Sequence, residues 1–170
     1  MQISPAHIKD IPDLVALINS AYRGEASKKG WTTEADLLKG VLRTDIPTLT
    51  EIMNRLHAVI LKYTSTEGSI TGSVFLEKQE RGLYLGMLSV SPLQQAGGVG
   101  KQLMKAAEQY AKENKCFCIF MTVISVRREL IAWYERLGYQ KTGETKPLPT
   151  DTKFGMPTQA LEFIIMEKKV

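Results

Sequence analysis

The sequence predicts a mixed α/β fold, a single domain over residues 1–170, and three observations carry that prediction. Strand-like apolar runs bounded by Gly, Ser and Asn/Asp turns fill the middle of the chain. Helix-period segments open the chain and then alternate with strands in its second half. Length and composition agree: 170 residues can bury a real core, and 44% apolar with 24% charged residues is a globular balance. No apolar run approaches the ~18 residues of a membrane span.

Gln2 to Ala6 reads as a short edge strand. Asp10-Ile11-Pro12-Asp13 is a helix start, with a capping aspartate and a proline in the first turn. Ile11, Leu14, Leu17, Ile18 and Ala21 then repeat at helical spacing to about Tyr22. A polar loop follows from Arg23 to Trp31. Thr33-Glu34-Ala35-Asp36 opens a second helix that ends near Gly40, and Thr48 to Asn54 is a further short helical turn. His57–Tyr63 and Ile70–Lys78 form a hairpin around Ser65-Thr66-Glu67-Gly68, and Leu83–Val90 is the next strand. Val99–Glu113 is helical, Cys116–Val123 a buried strand, Arg128–Leu137 helical and Tyr139–Glu144 a strand. Thr145 to Gln159 carries Pro147, Pro149, Gly155 and Pro157 and reads as a loop before a closing strand from Ala160 to Glu167.

Chemistry concentrates where the Leu83–Val90 strand meets the Val99 helix. The connection Ser91-Pro92-Leu93-Gln94-Gln95-Ala96-Gly97-Gly98-Val99-Gly100-Lys101 is rich in glycine. A strand, a glycine loop and a helix start together aim unpaired N–H groups and the positive end of a helix dipole at one point, which suits phosphate. Two phosphate loops fail on spacing. A Walker loop needs glycine where Gln95 stands and Ser or Thr where Gln102 stands, and a dinucleotide loop needs a third glycine where Leu103 stands. A plain tight turn is also compatible with the glycines alone.

Gln95-x-x-Gly98-x-Gly100, introduced by Val90-x-Pro92, resembles the acetyl-coenzyme A signature of the GNAT superfamily of N-acetyltransferases, Q/R-x-x-G-x-G/A. Glu129-Leu130-Ile131-Ala132-Trp133-Tyr134-Glu135-Arg136-Leu137-Gly138-Tyr139 resembles the second hallmark of that family, a helix carrying a tyrosine followed by Leu-Gly-aromatic. The two stand in the family's order. The resemblance implies a mixed, mostly antiparallel central sheet flanked by helices, with a splayed strand pair that holds the coenzyme. It implies an acetyltransferase that moves an acetyl group from acetyl-CoA to a primary amine, on a small molecule or a peptide, by direct attack in a ternary complex. A catalytically silent acyl-CoA-binding sensor or regulatory module is the alternative.

On that resemblance the diphosphate falls to Gln95, Ala96, Gly97, Gly98, Val99, Gly100 and Lys101, and the pantetheine arm to the main chain of Leu88, Ser89 and Val90. Gly86 within the strand suggests a bulge, which would free the Leu88 N–H for the thioester oxygen, or packing relief beside a helix. Tyr134 matches the position of the general acid that protonates the leaving thiolate. Periodicity alone also accommodates Tyr134 as a core residue, because Leu130, Tyr134 and Leu137 share a helix face. An asparagine common in the family is replaced by Arg127, which can donate to the coenzyme or simply start a helix. Tyr22, Trp31 and Glu34 form a candidate aromatic and acidic pocket for a cationic amine, or anchor their loop to the core. Glu77 is a candidate base, or an exposed strand-end charge.

The net charge of +4 reads as a solvated, mixed surface, with no basic stripe interleaved with aromatics, so no nucleic acid is expected. No leader-like segment, no membrane span and no metal-ligand cluster is read, so the expectation is a cytoplasmic enzyme without a metal. Cys116 and Cys118 read as two buried thiols on one face of a strand. A homodimer is compatible with the fold class.

Overall fold

The computed structural model describes residues 2–170. Its elements run β1 (Gln2–Pro5), α1 (Ile11–Tyr22), α2 (Gly24–Ser27), β2 (Leu38–Lys39), α3 (Ile46–Met53), β3 (Ala58–Thr64), β4 (Ile70–Lys78), β5 (Leu83–Val90), α4 (Val99–Glu113), β6 (Cys118–Ile124), α5 (Arg128–Arg136), β7 (Gln140–Pro147), β8 (Met156–Pro157) and β9 (Glu162–Lys169). Seven strands form one sheet in the order β1-β3-β4-β5-β6-β9-β7. Every neighbouring pair in it is antiparallel except β5–β6. β2 and β8 form a separate antiparallel pair.

Strand periodicity sorts the core into two layers. Leu61, Tyr63, Val74, Leu76, Leu83 and Leu85 point to one face, where Val99, Leu103, Met104, Ala107 and Ala111 of α4 and Ile131 of α5 meet them. The intervening Ile60, Phe75 and Met87 point to the other, against Ile11, Leu14 and Ile18 of α1 and Leu49 of α3. Gly72 of β4 is where α4 sits closest. A Cβ there would lie 2.7 Å from Val99 Cγ1 and 3.0 Å from Leu103 Cδ1, so only glycine admits the first turn of α4.

The β5–β6 pair matters most. Its parallel pairing covers only Leu83↔Ile119 and Tyr84↔Phe120, after which the strands part. On the other side, β5 pairs with β4 throughout but with a slip. Phe75 faces Gly86 and Ser73 faces Ser89, so Met87 and Leu88 oppose the single residue Val74. The bulge expected beside Gly86 is present. Met87 takes φ +47 at its centre. The extra residue flips the alternation, so Leu83 and Leu85 before it and Leu88 and Val90 after it all reach the α4 face.

Several expected elements move. No helix forms over Thr33–Gly40. Leu37 and Leu38 N–H groups both bond the Glu34 carbonyl (2.9 Å each), giving one turn, while Thr33 Oγ1 accepts from the Ala35 N–H (3.0 Å) and Leu38 pairs with Pro157. The helical turn forms earlier instead, as α2, inside the segment read as a loop, and β8 interrupts the Thr145–Gln159 loop. α3 starts two residues before the expected Thr48 because the Asp45 side chain accepts from the Thr48 N–H (2.9 Å) and Pro47 fits the first turn. Asp10 does not cap α1. Its carboxylate accepts from Lys62 Nζ and the His7 N–H, both at 2.7 Å. Burial alone would raise its pKa, but these two partners outweigh it and hold the carboxyl below its usual value. Cys116 and Cys118 are both buried but do not share a face. β6 begins at Cys118, so Cys116 lies in the connection and joins the α4 side, while the Cys118 thiol contacts the Arg81 carbonyl at 3.3 Å.

Candidate active site

The glycine connection folds as a single 3-10 turn over Gln95–Gly97, and Gly98 follows in the left-handed region at φ +75 as the residue before α4. A side chain at Gly98 would be strained there by about 1–2 kcal/mol. The first N–H bonded within the helix is that of Gln102, to the Gly98 carbonyl at 3.1 Å, so the N–H groups of Val99, Gly100 and Lys101 precede the ladder and face outward. Val99 is itself anchored in the core at 4% exposure, so it can offer only its main chain. Gly97 is exposed and lies outside the cavity that the other loop residues line.

That cavity, about 210 Å³, runs from Gln95, Ala96, Gly98, Gly100 and Lys101 past Val90 and Trp133 to Leu88 and Tyr134. It adjoins a second of about 260 Å³ in the gap between β5 and β6, walled by Leu85–Leu88 and by Met121–Ile124. Tyr22, Leu88, Arg127, Leu130 and Tyr134 border both. Ser89 borders neither. It pairs with Ser73, its hydroxyl donates to the Met87 carbonyl (3.0 Å), and its main chain is directed at β4, whereas the groups of Val90 point into the gap. The Leu88 carbonyl is fixed by the Tyr22 hydroxyl, which donates to it at 2.8 Å.

Tyr134 projects from α5 into this junction. Its ring sits edge-on to Trp133 (5.1 Å between centroids) and Tyr139 (5.9 Å), and it is 5% exposed. Among the described residues none hydrogen-bonds its hydroxyl. Burial first, then the nearby Tyr22 phenol, pushes its pKa well above the ordinary value, with Arg127 pulling weakly the other way. Burial and then Glu34 raise Tyr22 to about 12.

Arg127 does not stand free at the coenzyme. It is buried at the start of α5, donating to Glu34 Oε1 (2.9 Å) and Thr32 Oγ1 (2.7 Å). Glu34 is gripped from its other oxygen by Arg23, which also donates to the Phe154 carbonyl (2.9 Å). The result is a buried Arg–Glu–Arg bridge that ties the end of α1, the loop after α2, the start of α5 and the loop between β7 and β8. Taking away one partner of such a bridge leaves an unpaired buried charge, which costs about 3–5 kcal/mol.

The three residues grouped as an acceptor pocket separate. Trp31 lies against Trp133 (6.3 Å) beside the glycine loop, its N–H donating to Gln95 Oε1 at 2.9 Å. Glu34 borders the gap, and Tyr22 touches both spaces. Glu77 is remote, pairing with Arg55 (3.6 Å) near the outer end of β4. Sequence reasoning passed over Trp133, one position before Tyr134, and Arg43, whose only signal was its place in a charged loop. Among the described residues no three His, Cys, Asp or Glu side chains gather as a metal site, and no helix is long and apolar enough to cross a membrane.

N-acetyltransferase family 8 member 7 of Mus musculus is 27% identical over 114 residues, which cover 55% of this chain and 50% of that protein, so the match spans half its relative's length. A ribosomal-protein-alanine N-acetyltransferase from Brucella melitensis superposes with a TM-score of 0.73 at 20% identity, covering 100% of both chains. The yncA protein of Salmonella typhimurium, solved with its cofactor acetyl-CoA, gives 0.70 at 16% identity over 99% of this chain and 93% of that one. At such identities the two structures show a shared fold. The family model described as Acetyltransferase (GNAT) family matches residues 17–139, from α1 through the parted strands to the end of the tyrosine helix, and the chain belongs to that family.

Proposed function

We propose that the protein transfers the acetyl group of acetyl-CoA to a primary amine by direct attack within a ternary complex. The observation that carries this reading is the pair of adjoining cavities that runs from the front of α4 to the parted β5 and β6, with Tyr134 lining both. Acetyl-CoA is the second substrate, and the residues present suit it. The N–H groups of Gly98, Val99, Gly100 and Lys101 would receive its diphosphate, with the α4 dipole adding about 0.3–1 kcal/mol. Gln95 would hold the loop in place, since its amide bridges the Trp31 N–H and the Val90 carbonyl (3.3 Å). The main chain of Val90, turned away from β4, would pair with an amide of the pantetheine arm as a sheet edge does, which leaves the Leu88 N–H for the thioester oxygen.

In the reaction, the nitrogen lone pair forms a bond to the thioester carbon, and the carbonyl electrons move to oxygen. The Leu88 N–H at the bulge would be the donor to that oxyanion. Collapse breaks the C–S bond. Tyr134 gives its proton to the leaving thiolate and regains one from solvent, while the amine's own proton leaves through water. Burial keeps the Tyr134 phenol protonated but also makes it a weaker acid, so the proton passes as the C–S bond breaks and the buried sulfur takes on charge away from bulk water. Incubation with acetyl-CoA and a panel of amines tests this, read by thiol release and by a gain of one acetyl group on the acceptor. Release with at least one amine supports the reading. Coenzyme bound without thiol release for any amine would make the protein a silent acyl-CoA-binding module.

A further inference from the structure

The acceptor side of the gap carries more positive charge than its fold consumes. Arg43 and Arg127 border it and Arg23 borders the adjoining cavity; buried Glu34 is shared by Arg23 and Arg127, and the partly exposed Glu129 lies 3.8 Å from Arg127 Nε. Arg43 is left over. Its backbone N–H donates to Asn19 Oδ1 (2.6 Å), but among the described residues no oxygen accepts from its guanidinium, which lies over the Tyr22 ring at 5.5 Å from the centroid. Arg43 borders both the gap that contains Tyr134 and an adjoining cavity of about 240 Å³. The carboxylates nearby are engaged or peripheral. Asp45 pairs with Lys153 (2.9 Å), and Asp151 is exposed at the rim, accepting from the Lys153 N–H (2.9 Å). Phe163 and Pro149 give the two cavities an apolar wall.

A half-buried guanidinium with an unfilled donor fork and an aromatic ring beneath it is a carboxylate seat. A simple cationic amine entering here would meet an excess of like charge. We infer that the acceptor is an amine that also carries a carboxylate, of the free amino acid kind, with the carboxylate on Arg43 and the amino group turned toward Tyr134. This rests on the acetyltransferase reading and narrows it to a substrate class. It also changes the part assigned to Glu34, whose charge is already balanced and which serves to hold the two buried arginines.

The test uses matched sets: several amino acids, each with its α-amide and its decarboxylated amine, assayed by thiol release with wild type, Arg43→Gln and Arg43→Lys. The acid should exceed both neutralised forms in kcat/KM by at least about tenfold, the size of one charge-assisted hydrogen bond pair. Arg43→Gln should bring that ratio toward one, and Arg43→Lys should recover part of it. Equal or better turnover of the amides and plain amines by wild type would overturn the inference while leaving the transferase reading intact. So would a ratio unchanged in Arg43→Gln. Coenzyme binding with no release for any member would overturn both.

Discussion

Tyr134 is a buried phenol that lines the cavities, with Trp133 and Tyr139 edge-on to its ring. Burial raises its pKa, so the hydroxyl stays protonated in the folded protein. Tyr134→Phe preserves the packing and deletes the proton. It should lower kcat by about 10²-fold or more, with the affinity for acetyl-CoA within about twofold of wild type. In wild type, kcat should show no alkaline fall attributable to this group below its ordinary value of 10.0. Unaltered kcat in the mutant removes Tyr134 from the reaction. This residue was legible in the sequence because its helix is followed by Leu137-Gly138-Tyr139. Arg43 was not. A surface arginine and one seated in a cleft look alike until its potential partners are seen to be taken. Glu34 misled for the same reason: an acidic residue beside aromatics suggests a cation site, yet two distant arginines had already claimed it.

Helices and strands with strong periodicity sit within a few residues of where the sequence puts them. α1, α4 and α5 each present an apolar stripe, and β3 to β5 each present an alternating or continuous one. The segment from Thr33 to Gly40 has little periodicity, so its bonds to distant residues decided its shape. Gly72 shows how much an element can rest on a residue the sequence does not advertise. Its conformation would suit alanine, but the new methyl would press on Val99 and Leu103. Gly72→Ala should cost about 1–3 kcal/mol in a denaturant melt. It should also weaken acetyl-CoA binding severalfold by calorimetry, because the amides at the front of α4 move with Val99. Lost stability with unchanged coenzyme affinity would show that the loop is positioned some other way.

Across the whole molecule, three tyrosines draw the two sides of the gap and the α5–β9 corner into one hydrophobic body. Tyr22 is raised to about 12, and burial raises Tyr134 and Tyr139 as well. Above pH 10 the unfolded chain loses phenolic protons that the folded chain retains. The unfolded state then binds fewer protons, so stability falls as pH rises from 10 toward 12, by about 1.4 kcal/mol per tyrosine per pH unit. Thermal melts should lose roughly 4 kcal/mol by pH 11. Up to pH 11, tyrosinate absorbance from these three rings should appear only with unfolding, and substantial ionisation in the folded state at that pH would contradict the burial described.

The seven-stranded sheet itself leads to one point: strands that part after Tyr84 and Phe120 and a helix that begins beside the opening. A crystal structure with acetyl-CoA tests that arrangement most directly. The account predicts the diphosphate within hydrogen-bond reach of the Gly98–Lys101 amides, the pantetheine between β5 and β6, and the thioester oxygen at the Leu88 N–H. Coenzyme bound elsewhere, with β5 and β6 still empty between them, would contradict it.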